Sequence, residues 1–146
     1  MAQSSYFKLL VVLFLLFCFR VAAQLTQAFH PVTFLPSFSA WQSGALPYWV
    51  LVTCQLAIII ACVLVLLKFA KGTMSPDRNT GKICLVLGMI YLSVMLFRLI
   101  AGLTFAAGHS WFGARIPTFF HIVLASFLLV LGHFHYRYGK QKETIT

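Results

Sequence analysis

A chain of 146 residues has room for one ordinary domain, and this one is 61% hydrophobic and only 9% charged. Soluble domains run near 45–50% apolar and about 25% charged. A chain this short has too little interior to hide the excess, so a soluble globular fold is excluded and lipid is its solvent. The net charge of +9 comes from 11 Lys and Arg against 2 Asp and Glu. These basic residues stand in short clusters beside apolar runs, which is the positive-inside layout of a membrane protein. They do not gather on one aromatic-interleaved segment, and no nucleic-acid partner is expected.

Four apolar runs define an all-α membrane protein, a four-transmembrane-helix bundle forming one domain over residues 1–146, with helices at about 7–29, 47–67, 83–106 and 116–135. The first run, Leu9 to Phe19, is bounded by Lys8 and Arg20. Its basic start and the Val21-Ala22-Ala23 before Gln24 suit a signal peptidase. Against cleavage, Arg20 follows the apolar stretch at once and residues 21–29 contain no proline. We read a retained helix, with cleavage after Ala23 as the alternative.

The loop 30–46 is uncharged apart from His30 and rich in aromatic residues, and prolines at 31, 36 and 47 forbid a long helix there. Trp41, Tyr48 and Trp49 fit an interfacial aromatic belt. The segment either caps the bundle or is a plain connector. The second run extends from Pro47 to Leu67, the third from Ile83 to about Ala107, and the fourth from Ile116 to about Phe134. Each is long enough to cross about 30 Å of hydrocarbon as a helix, and lipid requires helix because backbone groups find no partner in it.

The loop 68–82 carries Lys68, Lys71, Arg78 and Lys82, with Gly72, Pro76, Asn79 and Gly81 as turn residues. The tail 136–146 adds Arg137, Lys140 and Lys142, whereas the opposite side has only Arg115. Both termini are therefore expected in the cytoplasm, in a bacterial inner membrane, with the basic loops against anionic headgroups. A membrane-protein partner or a second copy is a further expectation. Small residues for close packing are Ala57 and Ala61 on the second helix, and Gly88 and Gly102 on the third.

Four polar side chains fall in one layer. At 1.5 Å per residue, Gln55 and Arg98 lie about 12 Å from the outer helix ends and His121 about 8 Å; a retained first helix adds Arg20. No Asp or Glu occurs in any apolar run. Arg98 must therefore snorkel, or find carbonyls, water, a lipid phosphate or an anionic ligand. Tyr91, two helical turns inward of Arg98, is placed to floor a shared cavity. Ligand-binding candidates are thus Arg98, His121, Gln55, Arg20 and Tyr91. His121 is either a core histidine or a haem or quinone ligand, and a second haem-ligating histidine is available only from His30 or His109 in the loops. His133 and His135, two apart, point to different sides of a helix.

The four cysteines form no C-x-x-C pair, and neither a disulfide framework nor a zinc site is expected. Hydrolase, metalloprotease and nucleotide-binding motifs are missing. Without an intramembrane acidic residue, a proton-driven exporter is disfavoured. The expectation is an accessory or ligand- or lipid-binding membrane component without catalytic residues. The alternative is a redox subunit holding b-type haem or quinone through His121 and Arg98.

Overall fold

The computed structural model describes residues 3–42 and 44–143, with the side chains of 140–143 left aside. Among them every regular element is helical, and four helices are long and apolar enough to cross a membrane. These are α1 (Gln3–Phe29), α2 (Tyr48–Ala70), α3 (Arg78–Leu103) and α4 (Arg115–Glu143), with a 3-10 turn at Phe38–Trp41 between α1 and α2. The expectations resting on the Lys140 and Lys142 side chains, and on residues 144–146 of the tail, lie outside what is described.

The helix ends differ from the hydropathy boundaries for local reasons. α3 starts at Arg78 because Asp77 caps it, accepting from the Thr80 backbone N–H at 2.7 Å and the Thr80 hydroxyl at 2.6 Å. The Thr80 hydroxyl bond is the main reason the Asp77 carboxyl sits below its ordinary range. Gly81, expected in a turn, is thereby drawn into the helix. α3 also stops three residues early, at Leu103, where the Thr104 N–H turns back onto the Ala101 carbonyl. α4 continues past 135 to Glu143.

α4 is the central helix, close to α1 on one side and α3 on the other, while the α2 backbone approaches only α1. α2 reaches α4 through side chains, with the Phe69 ring 4.6 Å from that of Phe134. The α3–α4 contact rests on glycines seven residues apart on each helix: Gly81 and Gly88 of α3 meet Tyr136 and Leu129, and Gly132 and Gly139 of α4 meet Leu85 and Arg78. A Cβ on Gly132 would lie 2.8 Å from the Leu85 nitrogen, and one on Gly139 would lie 2.5 Å from the Arg78 nitrogen. Only glycine lets the backbones come so near. The Ala57–Ala61 pair plays no such part, since both alanines are exposed.

Two apolar clusters fill the interior. Near the basic end of the bundle, Tyr6 and Leu10 pack with Cys62, Phe69, Phe127 and Phe134. The Tyr6 hydroxyl meets His133 Nδ1 at 2.9 Å, and His135 Nδ1 accepts from the Asp77 N–H at 3.2 Å. The two histidines thus bind α1 and the α3 cap respectively. Near the opposite, loop-bearing end, Ala23 packs with Trp41, Phe120 and Val123. Trp41 is not a belt residue. It is 3% exposed, stacked 6.3 Å from the Phe120 ring, and its indole N–H donates to the Pro36 carbonyl at 3.0 Å. Trp49 remains exposed, as an interfacial residue would be.

Candidate functional site

The two loops at the loop-bearing end fold back over the helices, and each delivers a backbone carbonyl to a buried arginine. Gln27, on α1, shapes the first loop. Its amide nitrogen donates to the carbonyls of Leu35 and Pro36 (3.2 and 2.6 Å), and its oxygen accepts from the Val32 N–H at 2.6 Å. The loop so held brings the Trp41 carbonyl 3.2 Å from Arg20 Nη2. In the second loop, Gly102 is one helical turn beyond Arg98 on the same face, and a Cβ there would collide with the Phe112 carbonyl oxygen. Its bare backbone lets the loop lie flat on α3. The Trp111 carbonyl then accepts from Arg98 Nε at 3.0 Å and Nη2 at 2.7 Å.

Neither arginine snorkels. Arg98 is 2% exposed and Arg20 is 5% exposed. The Arg98 guanidinium carbon sits 4.2 Å from the centroid of the Trp111 ring, and that of Arg20 sits 6.0 Å from Phe120, within the range of cation–π attraction. A guanidinium carries five N–H donors. Among the described residues Arg20 spends one and Arg98 two on the protein, so most of their donors have no acceptor there.

Arg20, Arg98 and His121 line one cavity of about 270 Å³, bounded by Gln42, Leu46 and Trp111. A wider vestibule of about 660 Å³ shares Gln42 and Gly44 with it and is bordered by His109 and Arg115. Gln55 does not line the 270 Å³ cavity. It joins Arg20 and His121 in an adjoining space of about 150 Å³. Tyr91 is not the floor of the arginine cavity either. Its hydroxyl meets His121 Nδ1 at 2.5 Å, and the ring lines a third cavity deeper between the helices. If the phenol donates, the neutral imidazole carries its proton on Nε2 and is itself a donor.

Hydropathy reasoning missed Gln24. It is 1% exposed, and its side-chain oxygen accepts from Gln55 Nε2 at 3.0 Å, tying α1 to α2. A signal was present: Arg20, Gln24 and Gln27 fall at i, i+4 and i+7, one polar stripe on an otherwise apolar helix. Among the described residues no three His, Cys, Asp or Glu side chains gather as a metal-holding group. Neither His30 nor His109 lines the cavity that holds His121. All four cysteines are free thiols. Compared with family models, curated proteins and solved structures, the chain matches none.

Chemically, the cavity is a set of donors. Two guanidiniums and an imidazole converge in a low-dielectric interior, and the only carboxylates of the chain, Asp77 and Glu143, belong to the other end. Such a site favours an oxyanion or a carbonyl oxygen over any cation.

Proposed function

We propose that this chain is a small bacterial inner-membrane protein that binds an anionic or carbonyl-bearing ligand as an accessory component, without catalytic groups of its own. The observation that carries the reading is the sharing of one cavity by Arg20, Arg98 and His121 with no carboxylate to neutralise them. Buried charge without a counter-ion costs several kcal/mol, and a bound oxyanion offsets that cost. The orientation we propose has both termini in the cytoplasm, supported by Lys8, Lys68, Lys71, Lys82 and Arg137 at one end against Arg115 at the other. Reporter fusions between residues 71 and 81 then read cytoplasmic and fusions at Ser110 read external. One reversed reporter sinks this topology.

The binding reading is tested by mass spectrometry of small molecules retained in gentle detergent. The wild-type protein carries an anionic or carbonyl-bearing species, and Arg98→Leu reaches the membrane but loses it. Identical retention by both, or nothing retained by the wild type, overturns the reading. A second reading, a redox subunit, is favoured by the pairing of His121 with Tyr91, which fixes the ring: with the phenol donating, Nε2–H serves a quinone carbonyl, and with Nδ1–H donating to the phenol oxygen, the bare Nε2 would serve a haem iron. A Soret band in the purified protein identifies haem, and extraction of a quinone that Arg98→Leu no longer holds identifies the quinone form.

A further inference from the structure

Two further spaces adjoin the arginine cavity deeper in the bundle. The arginine cavity shares Leu51 and Pro117 with the 150 Å³ space below, which in turn shares Ile58 and Leu124 with a cavity of about 320 Å³. That last cavity runs down to Leu131 between α2 and α4, with the Tyr91 hydroxyl as its single side-chain oxygen. Its remaining lining is hydrocarbon and one thiol, from Cys62. The α2 and α3 backbones make no close approach to each other among the described residues.

Resting on the binding reading above, we infer that these three adjoining spaces form one cleft, which holds an anionic phospholipid by its headgroup and one acyl tail. Its phosphate lies among Arg20, Arg98 and His121, and its acyl tail lies along α2 and α4. Three features select this occupant. The head pocket offers several unpartnered N–H donors and no acceptor carboxylate, and a phosphodiester stays ionised and presents oxygens to two guanidiniums at once. The wall below changes from polar to apolar along one line, as a lipid does. From His121 to Leu131 is ten residues, about 15 Å of helix, which is half of a hydrocarbon core of about 30 Å and so the reach of one tail. A free anion leaves the apolar groove unfilled, a lipid without a phosphate leaves both arginines without a counter-charge, and a zwitterionic headgroup brings its own cation into a pocket already holding two guanidiniums.

The test is native mass spectrometry of the full chain in detergent, titrated with dioleoyl phosphatidylglycerol and, separately, with inorganic phosphate. One phosphatidylglycerol binds per chain, and Arg98→Gln weakens it at least tenfold. Ala61→Phe, which fills the groove from an exposed position, also weakens it at least tenfold and leaves phosphate binding unchanged. Phosphatidylglycerol binding untouched by Ala61→Phe overturns the tail assignment but not the anion site. Binding untouched by Arg98→Gln and by Arg20→Gln overturns both. A diazirine near the end of one tail supplies a readout independent of any variant. Crosslinks concentrated at residues 58–65 and 124–131 support the inference, and crosslinks spread over the outward faces of α2 and α3 overturn it.

Discussion

α3 and α4 meet backbone to backbone through four glycines, whereas α2 leans on the bundle along a single line of side chains, Gln55, Cys62 and Phe69. The residues on that line are seven apart, so only a narrow stripe of α2 is fully buried, flanked by the half-buried Ile58, Val65 and Leu66. The difference teaches where precision is built into this protein. Arg98, Tyr91 and His121 all stand on the glycine-joined pair, and the hydrogen bond from Tyr91 to His121 crosses that joint. The facing wall of the groove is supplied by α2. One side of the cleft is therefore fixed by close backbone contact, and the other rests on side chains alone.

The comparison breaks first at Gly132. A leucine there drives Cβ onto the Leu85 backbone nitrogen, and a backbone atom cannot step aside as a flexible side chain does. Overpacking typically costs about 1–3 kcal/mol, and we expect Gly132→Leu near the upper end. Ala57→Leu, on the exposed face of α2, should stay within about 0.5 kcal/mol of wild type. Denaturant unfolding in micelles measures both. Equal stability of the two variants would mean that the glycine contact does not hold the α3–α4 pair.

The same contrast explains what the sequence could disclose. Span lengths follow from runs of apolar residues, and Arg98 and His121 stand out because polar groups are costly in such runs. Those features belong to single segments. The glycine contact does not, because Gly81 becomes a packing residue only once His135 and Tyr136 are set in register beside it. Gly81 therefore reads as a turn residue. The partner of Arg98 was equally hidden, since a backbone carbonyl is identical at every position and only the fold of residues 104–114 brings that of Trp111 into reach. An aromatic residue in a proline-rich loop suits an interface or a lid equally well, and Trp41 turned inward because Arg20 and Phe120 receive it. Gln24 is different: its stripe with Arg20 and Gln27 is a property of one helix and is legible by spacing alone.

Gln24 also supplies the smallest and sharpest test of the α1–α2 side. Its bond to Gln55 joins these two helices within the membrane-spanning part, while its own amide nitrogen is buried without a partner. Removing one glutamine orphans the other, whereas replacing both by leucine removes the unmet donor and acceptor together. The double variant Gln24→Leu with Gln55→Leu should therefore be more stable than the sum of the single losses predicts. Interhelical hydrogen bonds in membranes average about 0.6 kcal/mol in such cycles, and we expect a coupling of that order. The value bears on α1 as a whole. Tyr6, Leu10, Phe17 and Arg20 are buried with Gln24, so cleavage after Ala23 would strip the core of all four and leave Gln24 at a chain end. A coupling indistinguishable from zero, together with an intact mass starting at Gln24, would remove α1 from the bundle and Arg20 from the cavity. A measurable coupling fixes α1 against α2 and leaves the arginine pair intact.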